Sequence, residues 1–114
     1  MISPLVDQDG AEALIASTSR AWVFKHSSTC GISAAAQDEV ERYLGAHPDQ
    51  RLGRVIVQSH RGLSNWLAQR LGYTHQSPQL FLVQGGKVLW AASHYSITAE
   101  AMEAAAKQVQ VPKA

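Results

Sequence analysis

Cys30 is the sole cysteine of this 114-residue chain, and its setting is suggestive. The apolar run Ala21-Trp22-Val23-Phe24 passes through Lys25-His26-Ser27-Ser28-Thr29 into a helical pattern that opens Gly31-Ile32-Ser33. A helix N-terminus carries unpaired N–H groups and a partial positive charge, so it favours thiolate over thiol, and thiolate is the nucleophile. In thiol–disulfide exchange that thiolate attacks a disulfide sulfur, and a dithiol enzyme finishes with a second cysteine three residues on. Here that position is Ser33, so a bound thiol adduct must be removed by an external thiol. The alternative for Cys30 is a small buried hydrophobe, the commonest fate of a free cysteine. Ser33 likewise has an ordinary role, satisfying a free N–H near a helix start.

Other residues offer themselves near this thiol. Lys25 and His26 can add positive charge beside it or bind a carboxylate of a low-molecular-weight thiol, although a lysine at a strand end is ordinarily solvated. Thr29 is placed to cap the helix, with Cys30 in the first turn. Ser77-Pro78 directly precedes an apolar run, where proline is tolerated at a strand start. We expect this bond to be cis, with the loop offering main-chain groups to an extended thiol peptide. His60, His75, His94 and Arg61 fall near segment ends and are expected to be solvent-exposed hydrogen-bonding groups.

Several classes are disfavoured. One cysteine and five scattered histidines show no metal-ligand spacing, so no metal site is expected. Gly85-Gly86 sits between two apolar runs rather than between strand and helix, which is not a phosphate-cradling arrangement. The formal charge is +1 with scattered Lys and Arg, giving no footprint for nucleic acid. No apolar run approaches the roughly 20 residues that span a bilayer, and no signal-type segment is evident. A single free cysteine suits a reducing compartment. The expectation is a soluble, cytoplasmic monomer.

The positioning elements follow from periodicity. Asp9 can cap an N-terminal helix with Ala11, Leu14 and Ile15 on one face. Arg20 to Phe24 reads as a strand covered on both sides. From Ile32 the apolar residues Ala36, Val40, Tyr43 and Leu44 recur at helical spacing, with Gly45 near the stop. A second strand, Arg54 to Gln58, precedes a helix opened by Arg61, marked by Leu63, Trp66, Leu67, Arg70 and Leu71 and ended by Gly72. Leu80 to Val83 and Val88 to Ala92 form a hairpin around Gly85-Gly86. Thr98 caps a last helix with Met102, Ala105, Ala106 and Val109 inward, and the tail after Pro112 is expected to fray. The three tryptophans fall on core elements. A parallel pair joined by a crossover helix, then an antiparallel hairpin and a closing helix, is the thioredoxin core arrangement. The fold class predicted is therefore α/β. A single domain over residues 1–114 holds a mixed four-stranded sheet flanked by helices, with an additional N-terminal helix.

The run Phe24-Lys25-His26-Ser27-Ser28-Thr29-Cys30-Gly31-Ile32-Ser33 resembles the Lys-His-Ser-x-x-Cys-Pro-Ile-Ser signature of the YtxJ family, the monothiol bacilliredoxins of the bacillithiol system. Ser64-Asn65, His75-Gln76-Ser77-Pro78-Gln79-Leu80-Phe81, Ser93-His94 and Ile97-Thr98 are similar to that family's pattern in the same order. The resemblance implies removal of bacillithiol, a cysteine-containing sugar thiol, from mixed disulfides on oxidised proteins under oxidative stress. Cys30 would attack and carry the adduct, bacillithiol would be co-substrate, and no cofactor would be needed. Gly31 departs from the family's proline and gives Cys-Gly-Ile-Ser, which is similar to the Cys-Gly-Phe-Ser motif of monothiol glutaredoxins. That departure predicts a lower thiolate pKa or an altered adduct geometry, because glycine exposes an N–H that proline lacks. Two alternatives stay open: iron–sulfur cluster binding through Cys30, and a non-catalytic adaptor. Against the first, the Gly-Gly-x-Asp element of glutaredoxins is replaced by Trp90-Ala91-Ala92-Ser93-His94.

Overall fold

The computed structural model describes residues 2–29 and 31–110, the side chains of 109 and 110 excepted. Cys30, the inward placement of Val109 and the tail after Pro112 therefore lie outside the described residues.

Strands β1 (Ile2–Pro4), β2 (Ala21–His26), β3 (Leu52–Ile56), β4 (Gln79–Gln84) and β5 (Lys87–Ser93) alternate with helices α1 (Gln8–Ala16), α2 (Gly31–Ala46) and α3 (Arg61–Leu71). A 3-10 turn, His94–Ser96, then leads into α4 (Ala99–Gln110). The strands form one sheet in the order β1-β3-β2-β4-β5. β1 and β2 each run parallel to β3, while β4 is antiparallel to both β2 and β5. The mixed sheet and helical flanks are as the sequence predicts, but it has five strands rather than four. The addition is the edge strand β1, where Pro4 is tolerated because an edge residue can turn its missing N–H away from the ladder. The Leu5 N–H continues the pairing by donating to the Arg54 carbonyl at 2.8 Å.

Alternation along β2 separates two cores. Trp22 and Phe24 face α2 and α4, packing with Val40, Tyr43, Met102 and Ala105. Ala21 and Val23 face α1 and α3, packing with Ile15, Leu63, Leu67 and Phe81. Each fully buried side chain of this size contributes on the order of 2 kcal/mol. Gly53 lets α1 come close to β3: a Cβ there would meet Leu5 and Leu14 carbons at 2.7 Å. The hairpin turn needs φ values of 59° and 84° at Gly85 and Gly86, both in the left-handed region that glycine adopts freely.

Several element ends differ from the local signals. Asp7, not Asp9, caps α1, its Oδ1 accepting from the Gly10 N–H at 2.8 Å. Thr98 caps α4 as expected, accepting from the Ala101 N–H at 3.0 Å. β2 runs two residues past Phe24, through Lys25 and His26, because β3 and β4 continue to pair with it. β3 stops at Ile56 rather than Gln58, which frees Gln58 for the adjoining loop.

Candidate functional site

The carboxyl ends of β2 and β3, the start of α2 and the loop before β4 gather most of the sequence-selected residues. The loop 27–29 is held from two sides. From below, the buried Ser33 hydroxyl accepts from the Ser27 N–H at 2.8 Å and lies 3.0 Å from His26 Nδ1. The hydroxyl proton remains free to be donated to Nδ1, which places the imidazole proton on Nε2. Burial, and secondarily the Arg54 guanidinium, lower the His26 pKa and favour its neutral form. From the side, Gln58 takes up the whole loop. Its Oε1 accepts from the Ser28 N–H at 3.1 Å, and its Nε2 donates to Ser27 Oγ at 2.6 Å and to Thr29 Oγ1 at 2.9 Å.

Ser33 thus satisfies a free N–H, as expected, but one of the preceding loop rather than of its own helix. Thr29, expected as the cap, turns its hydroxyl to Gln58, and α2 opens at Gly31. Gly31 has open space where a side chain would project, so packing does not require glycine there.

Lys25 corrects a sequence expectation. It is not solvated: its relative exposure is 0%, and Nζ has no hydrogen-bond partner among the described residues. The cause is alternation. Lys25 follows Ala21 and Val23 on the α1/α3 face, flanked in register by Val55 of β3 and Gln79 of β4. Burial pushes its pKa down from 10.5 to about 8. Lys25 and His26 therefore serve opposite faces of the sheet.

The Ser77-Pro78 peptide bond is cis, as expected. Gln79 braces the loop before it, accepting from the Gln76 N–H and donating to the Thr74 carbonyl, both at 3.2 Å. The Pro78 carbonyl accepts from the His94 N–H at 3.1 Å. Ser77 Oγ is buried with no partner among the described residues. His75 is exposed, as expected, and its Nδ1 lies 3.4 Å from the buried Ser64 hydroxyl. Its pKa is lowered by burial first, then by the charges of Lys25 and Arg61. His60 is half-buried with an unpartnered Nδ1, and His94 adopts a left-handed φ of 53°.

Sequence reasoning missed Gln58, and it named Gln79 and Ser64 only within the family-like motifs, not as organisers of these loops. The available signal for Gln58 was its place just beyond a buried strand, opposite three consecutive hydroxyl residues that need partners. Among the described residues no cluster of metal-ligating side chains forms, and no helix is long and apolar enough to cross a membrane.

A parallel β2–β3 pair, an antiparallel hairpin, a cis-proline loop and a helix opening at residue 31 define a thioredoxin-fold protein. A thioredoxin from Trypanosoma brucei brucei superposes with a TM-score of 0.82 at 9% identity, over 98% of this chain and 93% of that one. Thioredoxin f2 of Chlamydomonas reinhardtii gives 0.75 at 18% identity, over 99% and 100%. More similar in sequence is a structure described as a candidate oxidoreductase with a thioredoxin fold, 32% identical with a TM-score of 0.86, over 92% of this chain and 93% of that one. The model of the monothiol bacilliredoxin BrxC family matches residues 3–102, and the chain belongs to that family. Family and fold together support a thiol redox role.

Proposed function

We propose that the chain removes bacillithiol from mixed disulfides on oxidised proteins by monothiol exchange, as a cytoplasmic monomer without a cofactor. The Cys30 thiolate attacks the bacillithiol sulfur of the mixed disulfide. That S–S bond breaks, the target cysteine leaves as thiolate and takes up a proton, and Cys30 carries bacillithiol. A second bacillithiol thiolate then attacks the adduct, releasing oxidised bacillithiol and regenerating Cys30. The observation that supports this reading best is the sole cysteine standing in sequence between Thr29 of the clamped loop and Gly31 of α2, within the span matched to the family. Fixing a loop beside a nucleophile lowers the entropy lost on reaching the exchange geometry. With Ser33 engaged by Ser27 and His26, the second half-reaction falls to an external thiol.

Reduced protein mixed with oxidised bacillithiol, and in parallel with oxidised glutathione, is followed by intact mass for wild type and Cys30→Ala. Rapid addition of one bacillithiol, dependent on Cys30, is expected. No adduct, or equally slow addition of both thiols, would refute the reading. A visible absorption band after anaerobic iron–sulfur reconstitution, lost in Cys30→Ser, would favour cluster binding instead.

A further inference from the structure

Gln58 is exposed, yet its side-chain amide is fully engaged. Its backbone is fixed on both sides: the Val57 N–H donates to the His26 carbonyl at 2.9 Å, and the Ser59 and His60 N–H groups both donate to the Ile56 carbonyl, at 3.1 and 3.0 Å. One contact settles which way the amide faces. The Ser28 N–H can only donate, so the Gln58 atom 3.1 Å from it is the oxygen, and the nitrogen must face the two hydroxyls. Nε2 carries two hydrogens and has two acceptors, Ser27 Oγ at 2.6 Å and Thr29 Oγ1 at 2.9 Å. Each hydroxyl oxygen therefore accepts from Gln58 and sends its own proton elsewhere. Among the described residues no acceptor takes either proton. A hydroxyl that accepts an amide N–H is in turn a stronger donor. Bracing of the loop would be served equally by either polarity; what the amide adds is the direction of two hydroxyl protons.

We propose that Gln58 is a positioning residue for thiol exchange, turning the Thr29 hydroxyl into a hydrogen-bond donor to the sulfur of Cys30, the next residue in sequence. The inference rests on the thiol-exchange reading and adds how the charge of the nucleophile is held. Cys30 attacks as thiolate; a new S–S bond forms as the old one breaks, and one unit of negative charge passes from the attacking sulfur to the leaving one. Thr29 gives up no proton. Its O–H stabilises the thiolate before attack by a charge-assisted hydrogen bond, and the leaving thiolate takes its proton from water. Ser33 is not that donor, since its hydroxyl is engaged by the Ser27 N–H and directed to His26 Nδ1.

The test reads the apparent thiol pKa from the pH profile of Cys30 alkylation by iodoacetamide, together with the exchange rate on oxidised glutathione and the thermal midpoint. Gln58→Glu keeps the shape and reverses the polarity: a carboxylate accepts from the Ser28 N–H and from both hydroxyls, so the loop stays braced while the Thr29 proton turns away. Thr29→Val and Gln58→Glu should each raise the thiol pKa by about 1. Such a rise cuts the thiolate fraction about tenfold at pH below the wild-type pKa, while the remaining thiolate is about threefold more nucleophilic, so exchange there should slow about threefold. Thr29→Ser, which keeps the hydroxyl, should match wild type, and Thr29→Ala, with no branched side chain to disturb the loop, should match Thr29→Val. The carboxylate also brings a charge, which the double variant separates: in the Thr29→Val background Gln58→Glu should raise the pKa by less than half of its effect in wild type, and that remainder should be screened by salt. An effect equally large in both backgrounds means that Gln58→Glu acts by charge alone, and overturns the proposal. An unchanged pKa profile in Thr29→Val and Thr29→Ala overturns it too, as does a lowered thermal midpoint without a pKa change, which leaves Gln58 as a brace only. If wild type reacts with no disulfide, the exchange reading itself fails, and the alkylation profiles still decide whether Thr29 holds the thiolate.

Discussion

Replacing Lys25 by methionine should make the protein more stable, and more so at neutral than at alkaline pH. Methionine has a similar length and no charge, so the substitution keeps the volume and removes the unpaired ammonium. Burial lowers the Lys25 pKa from 10.5 to about 8. A difference of that size corresponds to about 3 kcal/mol. The sign follows from proton linkage. Below pH 8 the lysine is charged in both the folded and the unfolded chain, and the native state bears the whole cost. Between 8 and 10.5 the unfolded chain holds a proton that the native state does not, so wild-type stability rises with pH. Above 10.5 neither state is charged and the cost is gone. Among the described residues, the charges coupled to this region are those of His75 and Arg61, neither of which offsets an ammonium. Urea unfolding at pH 7, 8, 9 and 10 reads the difference. With a slope of about 1.5 kcal/mol/M, the Lys25→Met midpoint should lie about 2 M above wild type at pH 7, and the gap should shrink steadily toward pH 10. A variant no more stable than wild type at pH 7, or a gap that does not change with pH, would refute the argument that Lys25 is buried as an uncompensated cation.

Two further outcomes test the support of the loop. Ser33→Ala leaves the Ser27 N–H and His26 Nδ1 without their shared partner and should cost about 1–3 kcal/mol. A thermal midpoint within a degree or two of wild type would contradict that role. Acidification should also destabilise the fold through His26 and His75, whose pKa values both lie below the ordinary 6.5. As pH falls past 6.5 the unfolded chain takes up protons before the native state does, so stability declines until the native imidazoles titrate as well. NMR titration of the ring resonances checks this, and native midpoints above 6.5 would reject it.

What could be read from the sequence was what depends on short-range pattern. The Gly85-Gly86 hairpin, the inward faces of α2 and α4, the Gly72 stop and the Thr98 cap are each carried by neighbouring residues, and all recur in the structure. β1 was not legible, because three residues interrupted by Pro4 show no strand period and become a strand only by lying along β3. Lys25 was misread for a related reason. Local pattern marks a strand end, where a lysine is normally wet, but Val55 and Gln79 arrive from 30 and 54 residues away to pair on either side of it and keep it inside the sheet. Gln58 belongs to no motif, and its value lies wholly in the loop it meets across the fold.

The consecutive pair Lys25-His26 shows how one strand can hold two opposed electrostatic settings. His26 points to the α2 face, meets Ser33, and is pushed toward neutrality, where it can accept a hydroxyl proton and fix the loop. Lys25 points to the α3 face, finds no acceptor among the described residues, and keeps a pKa of about 8, so that most molecules still carry its charge at pH 7. Because side chains alternate with period two, a shift of β2 by one residue would exchange the two. The histidine would lose Ser33, and the lysine would be pressed against Phe24's hydrophobic cluster. The β2 register is pinned on both sides, by five parallel pairs to β3 and five antiparallel pairs to β4. The central strand therefore sets the orientation of the charge as firmly as it sets the core, and the loop leading to Cys30 starts from a fixed residue rather than a free one.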